Sequence, residues 1–478
     1  MQYGRVAAWF AAWMVLAIAT ECLAEVIPNT GQVITPLAPA GAHFDALNPG
    51  LKDFPDYTAG QAVTTAVSPD GKTLLVLTSG YNLIRSALGR VIPDDSTQFI
   101  FSYDVSAHTP RLSQVIKVPN SYNGLAFSPS GRAFYVPGGV DDNLHVFARD
   151  DSGRWAEADG SPIGLGHDGK GIGLSPREAP PQAAGVAVSA DGNTIVVANY
   201  GNDSISLLRR TSGAWHLASE LDLRPNRMDP ATGDWIAGGE YPYWVVIKGN
   251  DTAYVSSVRD REVVVVDIRG TPRVASRIKV PGQPNKMVLS RDGLLLFVAQ
   301  DNTDSVGVID LLHDQLVENI SVTATRNLLP PGKAKFKGAD TNSVTLSPDG
   351  KNLYVTNGTM NDVAVLRVLD GNDPDHPHVV ELLGLIPTGW YPNSVSMSSD
   401  GKYMYVVNGK SVTGPNPKYC KPLSRMAWVR CRSGNQFGLQ LAKAGFQYFP
   451  TPDARSLARL TEQAAENNHF GRRLSKQA

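Results

Sequence analysis

Cysteine is nearly absent from this sequence: three residues in 478, at Cys22, Cys420 and Cys431. So few thiols exclude a disulfide-stapled scaffold, and the lack of any Cys-x-x-Cys-His string excludes covalent attachment of a c-type haem. Charge of one sign is also lacking, since 44 Lys and Arg stand against 45 Asp and Glu, a net charge of −1. A chain so balanced has no electrostatic attraction for nucleic acid or an anionic bilayer, and there is no basic stripe; nucleic acid is not an expected partner. After Thr20 no stretch approaches the roughly 20 continuous apolar residues of a spanning helix, so no membrane span is expected beyond the first residues. Helical periodicity is scarce before residue 450, which points away from helical and α/β folds.

The amino terminus has a pattern of its own. Met1 to Arg5 carries one positive charge, Val6 to Thr20 is uncharged and apolar, and Cys22-Leu23-Ala24 places small residues three and one before a cut. That order is a secretory signal peptide over residues 1–24, giving a chain that starts at Glu25 and is periplasmic or secreted. An uncleaved anchor is the alternative. Glu21 stands where a lipoprotein signal has a small residue, which argues against lipidation of Cys22. In an oxidising compartment Cys420 and Cys431 are expected to form a disulfide; a metal pair is the lesser alternative, with no His or Asp cluster beside it.

Between these ends one pattern repeats seven times: an apolar alternation, a tight turn and a second apolar strand. Examples are AVTTAVSPDGKTLLVLTS from Ala62, NKMVLSRDGLLLFVAQ from Asn285 and NSVTLSPDGKNLYVTNG from Asn342. The turns fall at Gly71, Gly131, Gly192, Asp251, Gly293, Gly350 and Gly401. Asp-Gly between alternating apolar runs is a hairpin signal, because the turn needs φ > 0. A third strand (FIFSYDVS at Phe99, EVVVVDI at Glu262) and a more amphipathic fourth (LSQVIKV at Leu112, ASRIKV at Ala275) follow most hairpins. Four antiparallel strands recurring about every 40 to 60 residues predict an all-β fold, a seven-bladed β-propeller over residues 25–450. In blade seven, FGLQLAK at Phe437 and GFQYFP at Gly445 are the expected outer strands, with QVITPLA at Gln32 closing the ring from the amino terminus. Thr451-Pro452 reads as a helix start, and Leu457, Leu460 and Ala464 as the apolar stripe of a short helix in a tail over residues 451–478.

Residues leading into each innermost strand face the central channel of a propeller. Here they are Tyr122, Asn123, Gln182, Tyr241, Tyr243, Asn285, Lys286, Asn342, Trp390, Tyr391 and Asn393. Aromatic rings with amide and ammonium groups in a concave mouth suit a polar ligand or a protein segment. Alternatively, the asparagines bond backbone between blades. Other candidates are weaker. Gly164 to Lys170 has the spacing of a phosphate loop, but Gly171 stands where Ser or Thr must hold magnesium. His376 and His378 beside Asp373 and Asp375 read as an exposed acidic loop. No catalytic, metal or cofactor residue is therefore assigned.

Ser347-Pro348-Asp349-Gly350-Lys351 followed by Tyr354-Val355-Thr356-Asn357 resembles the signature of YVTN-type propeller repeats, with weaker copies in the other blades. LNPGLKDFP at Leu47, NGKSVTGPNP at Asn408, LAKAGFQYFPTPD at Leu441 and LARLTEQAAENNHF at Leu457 resemble a bacterial two-domain family. In that family an exported YVTN propeller precedes a phosphoesterase of the alkaline-phosphatase superfamily. The resemblance implies that the tail corresponds to a linker, and that the family's nucleophile and two-metal clamp have no counterpart before Ala478. The expectation is an exported, noncatalytic binding or scaffold module; the alternative is the inactive propeller half of a metal-dependent phosphoesterase.

Overall fold

The structure is a computed structural model. It describes residues 25–470 except residue 28 and segments 87–89, 168–180, 326–327, 329–336, 370–378, 412–423, 427, 430–438 and 440–441. The expected signal peptide, Cys420 and Cys431, the His376–His378 cluster and most of the stretch from Phe437 to Leu441 lie outside the described residues.

Each hairpin is specified within six residues. In blade six, Ser347 Oγ donates to Asp349 Oδ1 (2.5 Å), which accepts from Lys351 N (3.1 Å), while Ser347 Oγ accepts from Asn352 N (2.9 Å). Gly350 completes the turn at φ +76°, left-handed backbone that a β-branched residue resists. The same serine–aspartate–glycine device closes the turns at Gly71, Gly192, Gly293 and Gly401, and Ser130 replaces the aspartate before Gly131. In blade four the left-handed residue is Gly249 rather than the expected Asp251. There Lys248 pairs with Thr252, so the turn is shorter.

The hairpins build seven antiparallel blades. Blade one comprises Ala62–Val67, Thr73–Thr78, Gln98–Asp104 and Arg111–Val118. Blade two comprises Ala126–Phe127, Ala133–Pro137 and Asn143–Arg149, with an outer strand in two pieces, Trp155–Glu157 and Ile163–Gly164. The innermost strands of blades three to seven are Ala183–Val188, Pro242–Lys248, Pro284–Leu289, Thr341–Leu346 and Pro392–Met397. Both faces of a blade are buried, and strand alternation divides its side chains between two neighbours. Leu74 and Val76 pack toward blade seven, whereas Leu75 and Leu77 pack toward blade two. Seven apolar clusters result, one at each junction between adjacent blades.

Blade seven closes the ring with strands from both ends of the chain: Gly445–Pro450 is the one expected, whereas the amino-terminal strand is not the expected stretch from Gln32. Pro392–Met397 and Tyr403–Asn408 are followed by Gly445–Pro450, and the outer strand is His43–Ala46 from the amino terminus. Val33–Ile34 pairs instead with Glu25–Val26 in a separate hairpin. Phe44 selects this pairing: a Cβ on Gly445 would lie 2.2 Å from its ring, and one on Gly389 2.4 Å. The helix Ala454–Asn467 is capped by Asp453, whose carboxylate accepts from Ser456 N (2.8 Å). Its expected stripe is buried, Leu457 and Leu460 at the junction of blades six and seven and Ala464 at that of five and six. Each leucine so buried contributes about 1.5–3 kcal/mol. Gly384 lets the helix approach, since a Cβ there would meet Thr461 Oγ1 at 2.4 Å. No helix among the described residues is long and apolar enough to cross a membrane.

Candidate functional site at the propeller mouth

Every innermost strand runs away from the mouth, so the connections into it, and those from second to third strands, meet there. Among the described residues these include 79–86, 90–97, 165–167, 223–241, 322–325 and 337–340. Loops on one face of a rigid scaffold are where binding residues concentrate.

Two backbone features aim side chains into the channel. The pairing of the innermost strand is irregular near its start in blades one and three to seven, as at Pro284 to Met287 and Thr341 to Ser343. Such bulges redirect side chains. In five blades the residue before this strand is left-handed: Gln61, Gln182, Tyr241, Asp340 and Tyr391, with φ from 44° to 60°. Their carbonyls accept from the residue that follows the second strand; Gly358 N, for example, donates to Asp340 O (2.9 Å). Backbone of this kind in non-glycine residues costs about 1–3 kcal/mol and persists where surrounding structure enforces it.

The result is a funnel of 270 Å³. Eight of the eleven expected mouth residues line it: Tyr122, Asn123, Tyr243, Asn285, Lys286, Asn342, Tyr391 and Asn393. Gln182, Tyr241 and Trp390 do not. At blade three the residues on the bulge are Ala184 and Gly185, and a Cβ on Gly185 would lie 2.6 Å from Tyr243 O, so no larger side chain fits. Tyr241 stacks on Tyr200 (5.0 Å) outside the funnel, and Trp390 lies under Lys410 Nζ (5.3 Å). Gln61, Val63, Ser79, Asp301 and Asp340 complete the lining.

Lys286 forms the floor. Its Nζ crosses the channel to donate to Val63 O (2.6 Å), Thr64 Oγ1 (2.9 Å) and Asn393 O (3.3 Å). Burial pushes the ammonium down to about 7, while the three oxygens favour its charged form. These bonds tie blade five to blades one and seven beneath the funnel. The asparagines divide into two roles. Asn393 Nδ2 donates to Ala62 O (2.7 Å) and Asn342 Nδ2 to Pro392 O (3.1 Å), which is the inter-blade structural role. Asn123 Oδ1 and Asn285 Oδ1 are buried acceptors to which no protein group donates.

The opposite wall is acidic. Asp301 and Asp340 are hydrogen-bonded to each other, and Tyr391 Oη donates to Asp340 Oδ2. Burial first, then the Asp340 hydrogen bond and the charges of Asp340 and Asp304, push Asp301 up to about 7. Burial also pushes Tyr122 up to about 12 and raises Tyr243 and Tyr391, so the phenols remain neutral. Among the described residues no group of three His, Cys, Asp or Glu is arranged to hold a metal.

Comparison with known proteins adds the architecture. No family model matches the chain, and no curated protein matches it. Solved structures do resemble it. A proposed 6-phosphogluconolactonase from Bacteroides uniformis superposes with a TM-score of 0.51 at 16% identity, over 70% of this chain and 89% of that one. One from Bacteroides fragilis gives 0.50 at 17% identity, over 71% and 89%. A streptogramin B lyase gives 0.50 at 12% identity, over 86% and 98%. The likeness is one of fold. Two other clefts are larger. One of 630 Å³ lies between blades two and three beside Arg132, Tyr135, Arg210 and Trp215. Another, of 480 Å³, lies behind Asp301 and Asp340. The first opens beside the hairpin turns at Gly131 and Gly192, away from the convergent strand starts; the second shares the acidic wall of the funnel.

Proposed function

We propose that this chain is a binding module that takes a small, hydrogen-bond-donating ligand into the mouth of its propeller. The observation that carries the reading is an imbalance in the funnel. Asn123 Oδ1 and Asn285 Oδ1 are unmatched acceptors beside the Asp301 and Asp340 carboxyls, whereas the cationic donor among the lining residues, Lys286 Nζ, is already bonded to three oxygens, which leaves only neutral donors such as the Tyr122 and Tyr243 phenols. A buried acceptor left unmatched costs about 1–3 kcal/mol, which a donating ligand offsets. The funnel's 270 Å³ suits a molecule the size of a monosaccharide or an amino acid. The order of charge, apolar run and small residues over 1–24 supports work outside the cytoplasm.

The test is a ligand-observed NMR screen of amino acids, amines and sugars against the wild type and Asn285→Trp, whose indole fills the funnel. Hits lost in a variant that melts like the wild type support the reading; hits indifferent to Asn285, or none, overturn it. The raised Asp301 favours a second reading, acid–base chemistry on the bound ligand. Recovery of the ligand unchanged after prolonged incubation separates binding from turnover.

A further inference from the structure

The acidic wall is built to hold one proton between two carboxyls. Asp301 follows the second strand of blade five, and Asp340 precedes the first strand of blade six. Asp304 pins their loops together by accepting from Gly338 N (2.7 Å), Ala339 N (2.8 Å) and Asp340 N (3.2 Å). Two carboxyls in contact cannot both ionise cheaply, so they share a proton unless another cation replaces it. Independently, Asn123 is only 3% exposed, lines the same funnel, and its Oδ1 accepts from no protein group. One of the molecule's own ammonium groups already lies over a ring of this mouth, Lys410 Nζ over Tyr391 (4.7 Å).

Resting on the reading that the funnel binds a donor-rich ligand, we infer that the group it recognises is a primary ammonium. It sits against the Asp301–Asp340 carboxyls, with Asn123 Oδ1 and Asn285 Oδ1 taking its remaining protons. An ammonium has three donors and no acceptor, which matches a wall of acceptors; a carboxylate or phosphate meets repulsion there, and a neutral hydroxyl brings an acceptor with each donor. The charged groups that face the pair are Asp304 behind it, exposed Lys337 on its outer side, Lys410 over Tyr391 and Lys286 at the floor. Lys286 directs its Nζ to oxygens of blades one and seven. Binding displaces the shared proton, so affinity rises with pH through about 7 and protons are released.

Calorimetric titration of the mature chain with putrescine and ethanolamine, beside glucose and acetate, tests this. The amines should bind more tightly at about pH 8 than at about pH 6, with proton release read from the buffer dependence of the heat. Asp340→Asn should weaken them at least about tenfold, the worth of one hydrogen bond to a charged group. Asp301→Asn, expected to behave alike, serves if the first variant fails to fold. Amines binding equally to both variants, or not binding at all, overturns the ammonium assignment. Glucose binding that is lost in Asn285→Trp while the amines stay silent overturns the assignment but leaves the funnel reading standing.

Discussion

Replacing His167 with glutamine should remove a pH-dependent part of the stability. His167 is buried where blades two and three meet, its Nδ1 2.5 Å from Asp142 Oδ1 and its Nε2 2.8 Å from Glu220 Oε1. Burial opposes the imidazolium, but the hydrogen bonds and charges of the two carboxylates outweigh it and hold the group up to about 9, against 6.5 ordinarily. A folded value raised above the unfolded one means stability fully present below pH 6.5 and lost as pH climbs toward 9. At about 1.4 kcal/mol per unit the shift is worth about 3 kcal/mol, nearer 2 after allowing for the partial exposure of Glu220. The contact also holds Glu220 below its usual value despite burial, and that coupling is counted once. The assay is the urea midpoint at about pH 6, 7.5 and 9 for both proteins. The wild type should lose stability across that range, whereas His167→Gln should start lower and stay nearly flat. Parallel pH profiles would refute the charged clamp.

Three further outcomes are expected. Gly350→Val should lower the unfolding free energy from urea melts by at least about 2 kcal/mol, because its φ is +76° and a Cβ would press on Arg291 Cδ at 3.1 Å. Asp362 is buried, and burial raises its carboxyl well above the ordinary value, although the Asn357 hydrogen bond lowers it. It therefore costs stability as pH rises above its unfolded value, and Asp362→Asn should raise the calorimetric Tm at about pH 8 but not at about pH 4. Peptide mapping, without reductant, of protein held under oxidising conditions should recover Cys420 joined to Cys431, a closure worth about 3 kcal/mol; two freely alkylated thiols would contradict it.

Local chemistry explains what was legible in the sequence. Ser347, Asp349 and Gly350 close their turn through bonds that span five residues, so the hairpins can be read from any one blade. Closure of the ring cannot be, because His43 pairs with Tyr448 across the whole chain and His43-Phe44-Asp45-Ala46 has no strand pattern. What selects it is the shape of Phe44 against Gly445 and Gly389. The mouth was largely legible because the bulged positions recur in register. Asp301 was not singled out in the sequence, because its contact with Asp340 joins two blades and leaves no local pattern. Aligning the residue before each innermost strand would have found Gln61 and Asp340 beside Gln182, Tyr241 and Tyr391.

The measurement that bears most directly on the binding funnel is a crystal structure of the protein with the tightest ligand from the screen. The account predicts the ligand in the 270 Å³ funnel, within hydrogen-bond distance of Asn123 Oδ1 or Asn285 Oδ1 and of the Asp340 carboxyl. A ligand held instead in the 630 Å³ cleft beside Arg132 and Trp215, with the funnel side chains unmoved, would contradict it.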